Sequence, residues 1–365
     1  MAFTAQDVKN LREKTGVGMM ECKKALTEAD GDMDKAFEIL RERGLAASVK
    51  KASRIAAEGA IIAYTDEAAK TTVLLEINSE TDFVGKNEKF QAFGLDVAKT
   101  IAASKPATVE ELLALTLSGS DRTVEETLHD LILVIGENLK IRRFEIMEGD
   151  VVTYIHGGGS VGVAVQFETN LSDKAEFVAM GKNIAMQIAA MSPEYLSKDC
   201  ISADELEKMK SITIDSSLNK PDSLPKPIQK MLFDKACGDK LFSDEDIAAY
   251  EENMKNQYLF NFLSKEAVAT LVEIALGMKA EIVENKIFAG AVQGRIQKQI
   301  KEICLLEQPF VRTDLFDGTV AGYVAQVAKT NGADVKITKF IRLEKGEGLE
   351  KREDNFADEV ASMMK

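Results

Sequence analysis

The spacing of apolar positions changes twice along the chain. Over residues 1–45 it is helical. A first helix is expected after the cap-like Thr4, with Asp7 three residues on, carrying Val8 and Leu11 inward and stopping at Gly16. A second covers about 18–29, with Ala25 and Leu26 on its inner face. A third follows Gly31 and Asp32, since Met33, Ala36, Phe37 and Leu40 fall at i, i+3, i+4 and i+7, and Gly44 is expected to close it. So short a unit buries little surface and is marginal alone. A basic linker, 46–56, carries Lys50, Lys51 and Arg54.

The pattern then turns to β-type alternation, and it does so twice. AEGAIIAYTD at 57–66 resembles MEGDVVTYIH at 147–156, with Glu58, Gly59 and Tyr64 matching Glu148, Gly149 and Tyr154. FQAFGLDVAKTIAASKP at 90–106 resembles FVAMGKNIAMQIAAMSP at 177–193. TTVLLEIN (71–78) and VGVAVQFE (161–168) supply second strands, rich in β-branched residues. Each copy reads strand, turn, strand, loop, helix. Hairpins covered by helices give an α+β class, with two similar subdomains built on small antiparallel sheets. The offset between copies shrinks from 90 to 87 residues across the loop SETDFVGKN (79–87), so the first copy is longer there. What two copies share is constrained by packing; what one has alone is a candidate for function.

From about 200 to 305 the periodicity is helical again. Three of the six prolines lie in NKPDSLPKP (219–227), and 279–303 reads as one long amphipathic arm of a helical hairpin. DVKITKFIRLE (334–344) returns as a strand, and a short C-terminal helix places Phe356, Val360 and Met363 on one stripe. The expected segmentation is 1–45, the linker 46–56, core subdomain N at 57–146, core subdomain C at 147–200 with 304–346, an inserted helical hairpin at 201–303, and a C-terminal helical module at 347–365. The apolar stretch 258–276 must be covered within its own hairpin or by a second copy, so a homodimer through the insertion is one of two outcomes.

Composition narrows the function. The 365 residues carry a net charge of -14, which repels phosphate backbones and argues against nucleic acid as main partner. No apolar run approaches the roughly 20 residues of a membrane span. The N-terminus lacks a signal-peptide core and an Arg/Ser-rich transit pattern, so a cytoplasmic protein is the simplest expectation, and a processed organellar one would read the same. Cys22, Cys200, Cys237 and Cys304 form no CxxC pair and there are two histidines, so a metal site is not expected.

Candidate chemistry is mostly illusory. HGGGSVG (156–162) contains a GxSxG, a lipase-like HGGG and a GxGxxG at once. Both the nucleophile elbow and the dinucleotide fingerprint need a helix next, but VAVQFET reads as strand, and no histidine follows Ser160. A flexible hairpin turn explains the glycines better. No GxxxxGK[ST] occurs, so direct nucleotide binding and other cofactors are not expected.

The stretch VKNLREKTGVGMMECKKALTEADGD, the loop TDFVGKNEKF, the turn YIHGGGSVGV, the segment QPFV (308–311) and the ending IRLEKGEGLEKREDNFADEVASMMK together resemble the elongation factor Ts family. The resemblance covers both ends and the core but excludes most of 200–300, and 213–278 reads as longer than the common family form. It implies a ubiquitin-associated-like fold for the three N-terminal helices, and a non-catalytic guanine nucleotide exchange factor whose partner is the GTPase elongation factor Tu. It also implies a role for each motif residue. Thr81, Asp82, Phe83 and Val84 would form the intruding loop, with Phe83 as a wedge near the partner's Mg²⁺ and Asp82 as its buttress. On the residues alone, an aspartate beside a phenylalanine there is a cap plus a core anchor. Met19, Met20 and Lys23 would contact a partner helix; two consecutive methionines cannot both face a helix core. His156, Gly157, Val311 and Met363 would supply the remaining contacts.

Overall fold

The structure, a computed structural model, describes residues 3–171 and 174–350. The chain divides into two compact units, 1–192 with 311–316 and 322–365, and 193–310 with 317–321.

The first unit begins with α1 (Ala5–Thr15), α2 (Met19–Glu28) and α3 (Met33–Lys51). The Thr4–Asp7 capping box forms, and Gly16 ends α1 at φ +71°. Val8, Leu11, Cys22, Ala25, Leu26, Ala36 and Leu40 are buried together. Gly44 does not close the third helix. It lies inside α3, where a Cβ would sit 3.1 Å from the His129 carbonyl oxygen. The glycine lets α3 approach a later helix, and the stretch read as linker from 46 is helical as far as Lys51.

The duplicated core is α+β. In its first half, β1 (Glu58–Asp66), β2 (Thr71–Ser79) and β3 (Lys140–Glu148) form an antiparallel sheet in that order. Between β2 and β3 come the short α4 (Asp82–Gly85), then α5 (Glu88–Ser104), α6 (Val109–Ala114) and α7 (Val124–Ile135). In the second half, β4 (Asp150–His156), β5 (Val161–Thr169) and β6 (Val335–Glu344) repeat the order, covered by α8 (Ala175–Met191). The helices lie on their sheets at matched points. A Cβ on Gly94 of α5 would fall 1.9 Å from Ile62, and one on Gly181 of α8 would fall 2.5 Å from Val152. The repeated glycine is therefore a close approach of helix to sheet. Ile61, Leu74, Met147, Ala164 and Leu343 form a buried cluster shared by the two sheets.

Strand β3 has no counterpart in the sequence reading. Its charges obscure the alternation: a bulge between Glu76 and Ile77 pairs them with Arg143 and Ile141, leaving Arg142 as the extra residue. Both arginines reach the fully buried Glu76, at 3.0 Å from Arg142 and 2.6 Å from Arg143. Asn78 and the Gly346 N–H also donate to that carboxylate, at 3.1 and 2.8 Å. Burial pushes the Glu76 pKa up, but these four donors outweigh it and hold the carboxyl below its ordinary value. The second sheet keeps the bulge, between Gln166 and Phe167.

The second unit contains α9 (Ala203–Leu218), α10 (Lys226–Gly238), α11 (Asp244–Asn253), α12 (Lys265–Gly277), α13 (Lys279–Glu284) and α14 (Lys286–Ile303). The arm expected over 279–303 is broken at Asn285, whose side chain accepts from the Ile287 and Phe288 N–H groups and so starts α14 afresh. Leu218, Leu232, Phe233, Leu271, Ile282, Phe288 and Ile296 make the unit's own core, which takes in much of the apolar stretch 258–276. Its ends meet: the N–H groups of Glu194 and Tyr195 both donate to the Ile303 carbonyl. A last helix, α15 (Val320–Asn331), precedes β6. Met363 and most of the expected C-terminal helix lie outside the described residues.

Candidate functional site

The loop that distinguishes the first copy folds as the single turn α4. Thr81 holds it from one side: its N–H and hydroxyl donate to the Glu137 carboxylate at 2.9 and 2.7 Å, and its carbonyl accepts from the Ser79 hydroxyl at 2.8 Å. From the other side, Val84 is buried in the first sheet's core, and Gln91 donates to the Gly85 carbonyl. A Cβ on Gly85 would lie 2.5 Å from the Gly59 carbonyl oxygen, so the turn rests against β1. Thr81 and Val84 thus fix the turn, and the Val84 side chain is turned away from the surface. The two residues between them point out. Asp82 is exposed, with no hydrogen-bond partner among the described residues, and Phe83 is 80% exposed. This is not the cap plus core anchor that the residue types alone favour. A phenylalanine gains about 2 kcal/mol or more from burial, and here the fold holds one in water on a turn fixed at both ends.

The turn between β4 and β5 is held as firmly. Gly157, Gly158 and Gly159 have φ of +57°, +66° and +103°, a left-handed run that glycine alone adopts without strain. Gly159 is buried; its carbonyl accepts from the Ile61 N–H at 2.8 Å, and a Cβ there would lie 2.7 Å from the Ala60 Cβ. Ser160 donates its hydroxyl to the Gly157 carbonyl at 3.0 Å, which gives it a structural use in place of a nucleophile's. His156 and Gly157 are exposed at the tip, with His156 Nδ1 at 2.9 Å from the Tyr154 hydroxyl.

The fold brings these two turns to one surface. Between them runs an open groove of about 610 Å³, lined by Ile62, Lys86, Leu95, Ile155 and Gly158 among others. Gly85, Lys86, Gly158 and Gly159 bring the two turns to its edge, but none of the described candidate residues lines it. Met19 and Met20 are 50% and 64% exposed at the start of α2, with Lys23 exposed one turn on, while Cys22, Ala25 and Leu26 take the inner face. Val311 is 44% exposed, its N–H fixed by the buried Gln187 side chain at 2.8 Å. Sequence reading missed Lys86 and Leu95, whose groove-lining role comes from the helix–sheet packing and leaves no motif.

Among the described residues, no group of three or more His, Cys, Asp or Glu is placed to hold a metal, and no helix is long and apolar enough to cross a membrane. Burial pushes the Cys304 thiol up to about 11, leaving it protonated and unreactive at neutral pH.

The family model described as Elongation factor TS matches residues 80–347. Curated relatives named elongation factor Ts align over nearly the whole length. The one from Syntrophotalea carbinolica is 40% identical over 368 residues, covering 100% of both chains. That from Clostridium perfringens is 41% identical over 364 residues, 99% of each chain. That from Clostridioides difficile is 39% identical over 365 residues, covering 100% of this chain and 99% of its own. Because these alignments run through 213–278, that segment is not an oddity of this chain.

Proposed function

The chain belongs to the elongation factor Ts family, and from that membership we propose that it is the guanine nucleotide exchange factor of elongation factor Tu, with no bond-making chemistry of its own. The observation that carries the mechanism is Phe83, an aromatic ring exposed on a turn clamped at Thr81, Val84 and Gly85. The backbone that carries the ring is already fixed, so docking has only the side-chain rotamer left to order, which favours insertion. Phe83 enters a crevice beside the partner's Mg²⁺, and Asp82, whose carboxylate is uncommitted, bonds polar groups at the crevice mouth. Once Mg²⁺ loses its coordination, the diphosphate loses charge neutralisation and GDP leaves. Met19, Met20 and Lys23 supply a second contact through soft, adaptable side chains, and His156, Gly157, Val311 and Met363 supply the others.

Linkage fixes the logic. If the factor weakens GDP binding, GDP weakens factor binding by the same ratio, and the ternary complex collapses either way. Nanomolar nucleotide binding corresponds to about -12 kcal/mol. Offsetting much of that takes a broad interface, of the order of 2,000 Å² in total, which suits contacts spread over separate elements. Release of a fluorescent GDP analogue from elongation factor Tu tests the proposal: catalytic amounts of this protein should accelerate it, and an unchanged rate at stoichiometric amounts would refute it.

A further inference from the structure

The two copies of the hairpin differ at their tips in a way that the packing does not require. Both have four-residue turns, 67–70 and 157–160, and tyrosines in register, Tyr64 opposite Val73 and Tyr154 opposite Val163. Two residues on, the first copy has Asp66, whose carboxylate accepts from the Ala69 N–H at 3.0 Å and closes its own turn. The second copy has His156, whose ring is turned back onto Tyr154.

Four of the five carbonyls over 156–160 have a donor; that of Gly158 has none among the described residues. The His156 carbonyl accepts from the Gly159 and Ser160 N–H groups at 3.2 and 3.0 Å, and the Gly157 carbonyl accepts from the Ser160 hydroxyl. The carbonyls of Gly159 and Ser160 accept from the N–H groups of Ile61 and Lys345, at 2.8 and 2.9 Å. The N–H groups of Gly157 and Gly158, by contrast, have no acceptor among the described residues. A phenol hydroxyl is a good donor, and a neutral imidazole offers one acceptor nitrogen and one N–H. The Tyr154–His156 contact admits either direction; Tyr154 donating to Nδ1 is the one that puts the proton on Nε2 of the exposed ring.

We propose that the β4–β5 turn is a hydrogen-bond donor face, made of the Gly157 and Gly158 N–H groups and a His156 held as its Nε2–H tautomer by Tyr154, and that it seats on exposed acceptor oxygens, carbonyl or carboxylate, of the partner protein. This rests on the reading that His156 and Gly157 touch elongation factor Tu. It makes Tyr154 a positioning residue acting through His156.

Two measurements test it. Nitrogen-15 spectra of the imidazoles in the full chain, assigned with a His129→Gln variant, report the tautomer without any partner. The expected state is Nε2–H, shifting towards a mixture in Tyr154→Phe. Binding to elongation factor Tu then reads the donor: glutamine places an amide N–H near the Nε2 position and asparagine near Nδ1. His156→Gln should stay within about threefold of the parent, while His156→Asn and Tyr154→Phe lose affinity, His156→Asn by about tenfold, the worth of one hydrogen bond. An Nδ1–H tautomer with His156→Asn binding better than His156→Gln overturns the donor assignment and leaves the contact reading standing. Undiminished binding by all three variants removes the turn from the interface, and with it the reading beneath the proposal.

Discussion

At the scale of single residues, side chains divide into those spent on the fold and those left for a partner. Glu76 is spent entirely. Its folded pKa is held below the ordinary value of 4.5, so its contribution is present above the unfolded pKa and is lost as pH falls through the folded one. Glu76→Gln, which leaves Arg142 and Arg143 without their buried counter-charge, should cost about 3 kcal/mol at neutral pH. The gap to the parent should narrow as the pH drops below 4.5, because only the parent titrates; denaturant melts at several pH values would show it. The glycines of the β4–β5 turn separate two causes. At Gly158 a Cβ meets nothing within 4 Å, so Gly158→Ala should cost only the left-handed backbone penalty of about 1 kcal/mol. At Gly159 the same change also collides with Ala60 and should cost over ~2 kcal/mol, read as a lower melting temperature. The motifs made Phe83 and His156 findable in the sequence. Glu76 was not findable, because its value comes from a bulge and a turn at Gly346, far away along the chain.

At the scale of elements, the helices and hairpins were legible where spacing is local. The Thr4–Asp7 box, the inner face of α2 and both long hairpins follow from periods read within ten residues. What failed depended on contacts from elsewhere. Gly44 reads as a helix end locally, but the carbonyl of His129 makes it a point of close packing and α3 runs on to Lys51. Strand β3 hides because two adjacent charged residues, Arg142 and Arg143, both reach the buried Glu76 and so break the alternation. A truncation starting at residue 46 therefore cuts α3 and uncovers Leu133 and Val134, which pack against the N-terminal cluster. That core should still fold, melt lower by the equivalent of about 1–3 kcal/mol, and bind elongation factor Tu more weakly. Undiminished binding in titration calorimetry would take Met19, Met20 and Lys23 out of the interface.

At the scale of the whole molecule, the helical unit is a detachable excursion in its connectivity. Removing 213–278 alone would strip Phe288, Val292, Ile296 and Ile300 of α14 of their cover. Replacing 202–301 by a short flexible linker removes most of that unit's core together, leaving Ile201 and Cys304 as its buried members to lose cover, and joins ends that already meet at Tyr195 and Ile303, at a closure cost that grows only logarithmically with length. That variant should keep exchange activity; light scattering would show whether it also changes mass, and loss of exchange in a folded variant would put part of the interface in the helical unit. The central claim, that a presented ring drives nucleotide release, has a more direct test. Stopped-flow release of fluorescent GDP from elongation factor Tu should be slowed at least ~30-fold by Phe83→Ala, the loss expected for a contact worth about 2 kcal/mol, with the melting temperature unchanged because the ring is 80% exposed. A Phe83→Ala protein that melts many degrees lower yet releases GDP at the parent rate per folded molecule would contradict the account.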